Sequence, residues 1–330
     1  MSNFKKISKN IQQLTIINPK KNDSINWVNI TDTGKKEIEY LRKTYNFKLN
    51  HLRASSAKTN AQRPIIEKEA DYLFMILHFP VMSYPSGNNK GNDGRIVAVE
   101  INFFIGHGFL ITLPSQPITA LTDFFNLCRK DTDSLLSYKF ESSAIMLYEV
   151  LNKLLKYSYV LLDNNSIAIS QAERTILNET PKISTSLILG LRHNLINMRK
   201  IMQSHKNIMK QLMAMESNII PSELLKKYFG ELISYTKNIW ETLENQREMV
   251  EVLHDSYESI SNYHLGNTMK ILTIFYVTFS SLSLVAAIFS LKIDNGMPFI
   301  NYQNGFWIIV GIMSLVGLFM ILLFRNKKWL

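Results

Sequence analysis

The sequence predicts an α+β cytoplasmic domain, then a long stalk helix, then a C-terminal two-helix transmembrane hairpin. Three observations predict it. Residues 271–291 and 306–324 are uncharged over about 21 and about 19 residues, and each is long enough as helix to cross a hydrocarbon core of roughly 30 Å. Residues 222–267 contain no proline and carry apolar side chains at a seven-residue spacing. Residues 1–136 show a different pattern: short β-branched runs cut by Asn, Asp, Pro and Gly.

Residues 14–17 and 25–30 read as short strands. Thr31-Asp32-Thr33 then caps a helix whose first turns hold Glu37, Ile38 and Leu41. Residues 72–79 and 96–105 read as buried strands, and the Gly/Asn-rich run 86–94 between them as a hairpin loop. A further strand over 109–113 is closed by Pro114. From residue 137 the pattern turns helical. One helix covers about 137–172 and continues towards Asn178, Pro181 interrupts it, and a second covers about 184–217. Pro221 interrupts again and Ser222 caps the third.

The third helix has two apolar sets. Leu225, Leu232, Ile239, Leu253 and Ile260 form one; Tyr228, Tyr235 and Met249 form the other; Gln246, Thr242 and Ser256 fill the remaining seam positions. Nothing stops this helix before the membrane, so a single rod over 222–291, roughly 100 Å long, is expected. A rod of this kind cannot bury its seam alone, which argues for a symmetric ring of copies. The expected divisions are 1–136 (α/β domain), 137–221 (helical hairpin), 222–267 (stalk), 268–291 (first span), 292–305 (external loop), 306–324 (second span) and 325–330 (basic tail).

Charge sets the orientation. Lys270 precedes the first span, and Arg325, Lys327 and Lys328 follow the second; the connecting loop has only Lys292 and Asp294. By the positive-inside rule both termini face the cytoplasm, and a plasma (inner) membrane location is expected. Trp307 and Trp329 stand where interfacial aromatics anchor a span. The first 22 residues are basic and polar with no apolar core of a signal peptide. The single cysteine, Cys128, fits a reducing compartment. The net charge of +10 has no compact basic motif with interleaved aromatics, so no nucleic-acid partner is expected. Part of the surplus flanks the spans, and the positions Arg192, Lys200, Lys206, Lys210, Lys226 and Lys227 suit solvated faces near an anionic leaflet.

At this point the chain resembles the CorA family of magnesium channels, the metal ion transporter family. The resemblance runs nearly the whole length. Arg63-Pro64 through Glu67 and Asp71-Tyr72-Leu73-Phe74 resemble a segment of that family's N-terminal domain. Ile101-Asn102-Phe103-Phe104-Ile105 and Phe109-Leu110-Ile111-Thr112 resemble the strand pair that follows. Asn267-Thr268-Met269-Lys270-Ile271-Leu272-Thr273 is similar to the approach to the first span, and Lys327-Lys328-Trp329-Leu330 to the usual C-terminus. The resemblance implies a funnel-shaped homopentamer in the lipid bilayer. Its central pore would be lined by the first span, gated by the cytoplasmic domain, and used by divalent metal ions with Mg2+ as the default.

The chain also departs from that family. The Gly-Met-Asn that usually ends the first span is Ser290, Leu291 and Lys292 here, a usual proline is Ser281, and a usual glycine is Ala287. The alternative pairing, Gly296-Met297, meets Pro298 in place of asparagine and carries Lys292 and Asp294 into the helix end. An asparagine ring offers carbonyl oxygens to a hydrated Mg2+; a lysine ring offers donors only. Five ammonium groups about 8 Å from a divalent ion would cost roughly 1 kcal/mol each in water, before screening. A scaffold of this kind with altered ion selectivity, or one that senses without conducting, is therefore the alternative expectation.

Helical spacing and the resemblance together place Gly266, Met269, Leu272, Tyr276, Ser280, Ser283, Ala287 and Ser290 on one pore-lining face. Met269, Leu272 and Tyr276 would close by dewetting, and the serines suit a hydrated ion; small residues also let neighbouring helices pack closely. Glu231 and Asp255 fall where the resemblance implies acidic residues, Asp255 at the stalk pore and Glu231 at a gate-regulating interface, and bound Mg2+ there would hold the channel shut. The seven histidines (His51, His78, His107, His193, His205, His254, His264) show no paired metal-ligand spacing, and there is no G-K-[ST] phosphate loop and no G-x-S-x-G. No enzyme is expected, and transport would be passive.

Overall fold

The computed structural model describes residues 2–17, 24–56, 63–84, 94–130, 142–178, 181–215, 219–220, 223, 225–291, 298, 303–327 and 329. The run 86–93, the start of the first long helix before residue 142, Pro221 with Ser222, and the loop residues 292–297 lie outside the described residues. The chain divides into two units, Met1–Leu253 and His254–Leu330.

The first unit is built on a seven-stranded sheet. Its strands are β1 (Ser2–Lys6), β2 (Ile11–Ile17), β3 (Ser24–Ile30), β4 (Ile65–Lys68), β5 (Tyr72–Ser83), β6 (Arg95–Gly106) and β7 (Phe109–Pro114). They lie in the order β1-β2-β3-β7-β6-β5-β4. Only β3 and β7 pair in parallel; every other neighbour is antiparallel. Residues Tyr72 to Pro80 of β5 are buried without alternation, because both faces of the sheet are covered and neither needs a polar row. Pro114 is the last residue of β7, paired with Ile101, and so does not stop the strand before it as expected.

The β6–β7 hairpin turns through Gly108, at φ +78°, a conformation that suits glycine. Gly106 is needed for a different reason: a Cβ there would lie 2.4 Å from the Phe109 ring.

On one face sit α1 (Lys35–Tyr45) and α2 (Leu49–Ser56), closing a core of Val28, Leu41, Phe47, Leu52, Phe74 and Phe104 with their neighbours. Helix α1 begins later than the threonines predict. Gly34 is its cap, with no side chain to accept from the first turn, and its own N–H donates to Glu37 Oε2 at 3.0 Å. The other face is covered by α3 (Thr119–Lys130), α4 (Ser143–Asn178) and α5 (Pro181–Ala214). Trp27 of β3 meets Phe125 of α3 edge-on at 4.9 Å, and its indole N–H donates to the Thr112 hydroxyl at 3.2 Å. Helix α5 also supplies partners for the start of β6. Asn194 Oδ1 accepts the Ile96 N–H at 2.9 Å, and Asn197 donates to the Ile96 carbonyl at 3.0 Å.

A five-residue π-helical turn, Leu225–Phe229, leads into α6 (Gly230–Ser290). In the first unit its buried positions are Leu232, Thr236, Ile239, Leu243, Gln246, Val250 and Leu253, an unbroken four-three alternation. Of the first expected set Leu232, Ile239, Gln246 and Leu253 are buried and Ile260 is only half-buried, while the side chain of Leu225 lies outside the described ones; the second set is one residue out, with Phe229, Thr236, Leu243 and Val250 in place of Tyr228, Tyr235, Thr242 and Met249. Met249 is 49% exposed. The seam is also not left for copies of the chain to cover. Gln246 donates to the Leu162 carbonyl at 2.8 Å and to Ser166 at 2.6 Å, and accepts from Asn165 at 3.0 Å, all on α4. Tyr159 of α4 donates to the Tyr235 carbonyl at 3.2 Å.

The second unit holds the rest of α6 and α7 (Gly305–Asn326). Among its described residues only Gly305 is buried.

Candidate functional site: the open face of the first span

Residues 271–290 of α6 form one uncharged turn after another, and their two sides differ. Lys270, Ile274, Val277, Thr278, Ser281, Leu282, Val285 and Phe289 are half-buried. They recur every three or four residues, as a stripe on a 3.6-residue helix must. Helix α7 carries a matching half-buried stripe, Ile309, Met313, Val316, Gly317, Met320 and Phe324.

The residues proposed to line a pore occupy the opposite side. Gly266, Met269, Leu272, Tyr276, Ser280, Ser283, Ala287 and Ser290 are all exposed, and helical spacing sets their mean direction roughly 180° from the half-buried stripe. Met269, Leu272 and Tyr276 are 63%, 57% and 75% exposed.

The hydroxyl groups of the half-buried stripe turn back onto the helix. Thr278 and Ser281, in the half-buried stripe, donate to the carbonyls of Ile274 and Val277 at 2.7 and 2.8 Å. Thr273, which is exposed, does the same with Met269 at 2.7 Å. Such back-bonding satisfies a hydroxyl that faces an apolar medium. Among the described residues, the side chains of Ser280, Ser283 and Ser290 make no hydrogen bond. Their donors and acceptors are free for water or a hydrated ion. Ser290 ends α6 and Leu291 follows it, 57% exposed; Lys292 lies outside the described residues.

The two candidate metal-binding carboxylates belong to different units. Glu231 stands in the first turn of α6. Tyr148 of α4 donates to its Oε2 at 2.6 Å and Tyr235 to its Oε1 at 2.5 Å. These two hydrogen bonds, Tyr148 first, hold the Glu231 carboxyl below its ordinary value. Tyr148 is pushed up, by burial first and by Glu231 second. Asp255 is exposed and lies well along the same helix. The tyrosine clamp was not anticipated. Tyr235 stands four residues after Glu231, a spacing visible in the sequence, but Tyr148 comes from a distant helix.

Comparison with known proteins places this arrangement. The family described as "CorA-like Mg2+ transporter protein" matches residues 22–327. A cobalt/magnesium transport protein CorA from Thermotoga maritima is 26% identical over 185 residues, 56% of this chain and 52% of that protein. A second protein of that name, from Methanocaldococcus jannaschii, is 21% identical over 306 residues, 92% of this chain and 91% of its own length. The complete structure of the magnesium transporter CorA from Methanocaldococcus jannaschii superposes with a TM-score of 0.78 at 20% identity, covering 93% of this chain and 92% of that one.

Proposed function

The chain belongs to the CorA-like Mg2+ transporter family, and from that premise we propose that it assembles as a homopentameric channel for divalent metal cations. Mg2+ is the default cargo, and both termini face the cytoplasm across an inner membrane. The observation that carries this reading is the division of the first span into two sides. One side is half-buried; the other is open and includes Ser280, Ser283 and Ser290, whose side chains are unbonded among the described residues.

In a ring of copies the open sides face a common axis. Mg2+ gives up its water reluctantly, so a path lined by hydroxyls serves the hydrated ion better than a cage of carboxylates. Met269, Leu272 and Tyr276 narrow the cytoplasmic half and close it when water leaves. Transport follows the gradient and the membrane potential, which is worth about 2.3 kcal/mol per elementary charge per 100 mV. Glu231 and Asp255 are the carboxylates through which cytoplasmic Mg2+ would favour the closed state. Each differs in what must change: Glu231 gives up a tyrosine, and Asp255 is already exposed.

The second reading, a pore with altered ion preference, is favoured by Lys292 standing where an asparagine is usual. One assay separates the two. Cys128 is buried and is the only cysteine, so an introduced thiol reports alone. In proteoliposomes, Ser283→Cys is expected to lose nearly all Mg2+ flux on treatment with a membrane-impermeant thiol reagent, and Val285→Cys is expected to keep it. Equal reactivity of both positions overturns the pore assignment. Mg2+ flux that appears only with Lys292→Asn, together with chloride or monovalent flux through the native protein, selects the altered-preference reading.

A further inference from the structure

We infer that the α+β domain binds a divalent transition-metal ion between His51 of α2, Glu67 of β4 and Glu69 of the β4–β5 turn. One ligand atom from each of the three lies within 4.8 Å of the others. The site is independent of the span and of Glu231 and Asp255.

The imidazole is held as a metal-binding imidazole is held. His51 is 4% exposed. Its ring stacks on Phe74, with centroids 4.4 Å apart and planes 13° apart. Nδ1 lies 2.9 Å from the Tyr72 hydroxyl, which leaves Nε2 as the atom that faces out, 2.8 Å from Glu67 Oε2. The Tyr72 oxygen already accepts the Lys48 backbone N–H at 3.0 Å. It has a second lone pair, so it can accept Nδ1–H as well. Without an ion, the Nε2–H donates to Glu67 Oε2 and Nδ1 accepts the Tyr72 O–H; with an ion, the proton sits on Nδ1 and Nε2 presents a lone pair. A hydrogen bond from the far nitrogen is what fixes tautomer and orientation in metal-bound histidine.

A cationic group already occupies part of the site. Lys48 Nζ lies 2.6 Å from Glu69 Oε2, and its side chain is 64% exposed while that of Glu69 is 18% exposed. A long, solvated ammonium swings into water at little cost. The β4–β5 turn keeps Glu69 in place after it leaves, since the Glu69 N–H donates to the Tyr72 carbonyl at 2.8 Å. An ion would therefore replace the Lys48 head group, and the neutral imidazole would pass from its Nε2–H to its Nδ1–H tautomer. The donor set, one imidazole nitrogen and two carboxylates, suits Zn2+, Co2+ or Ni2+ and is a poor match for Mg2+, which prefers oxygen throughout.

The test uses the full-length protein in detergent, titrated with Co2+ while a large excess of Mg2+ fills oxygen-only sites. The native chain is expected to bind Co2+ with the visible absorption of a nitrogen-ligated ion. Glu69→Gln, which leaves the buried imidazole and its stacking untouched, is expected to weaken that binding on the order of 100-fold, as is His51→Gln. Lys48→Ala removes the competing cation and is expected to tighten it. No such Co2+ binding in the native chain, or binding that all three substitutions leave unchanged, overturns the inference.

Discussion

Helix α6 is one continuous element with two different parts. Residues 230–253 are finished by their own chain: seven seam positions are buried, and the polar one among them, Gln246, has every side-chain group paired to α4. Residues 254–290 contain no buried residue at all, and they carry Phe275, Tyr276, Phe279 and Leu284 at 62%, 75%, 67% and 64% exposed. A soluble monomer does not leave so large an apolar surface uncovered. The first part takes its partners from the same polypeptide. The second takes them from outside it: lipid on one side and, in the reading proposed above, water and other copies on the other.

The largest test of that contrast compares two leucines. Leu232→Ala opens a cavity in a closed core, since Leu232 is fully buried, and is expected to cost about 2–5 kcal/mol in unfolding of the first unit. Leu284→Ala removes the same atoms from a 64% exposed position and is expected to leave that transition unmoved. Denaturant titration of the detergent-solubilised protein, followed through the tryptophan fluorescence of the first unit, reads both. Equal effects would mean that the two parts of α6 are not energetically distinct.

Acid sharpens the comparison, because only the first unit buries a titratable base among the described residues. His205 of α5 is wholly buried, and burial lowers its pKa from 6.5 to about 4. Its Nε2 lies 2.6 Å from the His78 carbonyl, which can only accept, so the proton is on Nε2 and Nδ1 is left without a partner. The Phe79 ring lies edge-on to it at 4.8 Å. His78 is the charged-capable neighbour, itself 3.5 Å from Glu100 Oε2. The folded pKa lies below the unfolded one. The unfolded state therefore holds more protons between about pH 6.5 and 4, and stability falls through that window as pH falls. The total is roughly 3 kcal/mol. His205→Gln is expected to be less stable at neutral pH and to show a flatter profile across the same window. An unchanged slope in the variant would assign the acid sensitivity elsewhere.

What the sequence shows and hides follows from the same contrast. The spans, strands β5 to β7 and the set Leu232, Ile239, Gln246 and Leu253 are legible, because each is an apolar run or a spacing set by local geometry. The other seam set is displaced because Tyr228, Tyr235 and Met249 look apolar but stand on the edge of the seam. Strand β1 is short and polar, and α2 has only His51, Leu52 and Ser55 buried in eight residues, so neither gives a periodic signal. Helix α3 is a different case: Leu121, Phe124, Phe125 and Cys128 are spaced as a helical face and were readable. At the site, helical spacing selects the open face of α6 directly. The His51, Glu67 and Glu69 group is invisible to spacing, because a helix and a strand turn contribute its members and only the fold brings them together.

The smallest expected effect lies where the self-contained part of α6 begins. Tyr148→Phe removes one of the two hydroxyls that bind Glu231 and leaves the ring that packs on Tyr228 at 5.0 Å. Glu231 is exposed, so solvent replaces much of what is lost, and the expected cost is about 1 kcal/mol. The sign with pH identifies the mechanism. The folded pKa of Glu231 is depressed, so its contribution is present above the unfolded carboxyl value and is lost as pH falls through the folded one. The difference between native and variant should therefore be largest near neutral pH and shrink towards zero in acid. A difference that stays constant with pH would show that Tyr148 acts through packing alone. Should the loss of Tyr148 also strengthen inhibition of flux by Mg2+, then the hydroxyl and the ion compete for one carboxylate.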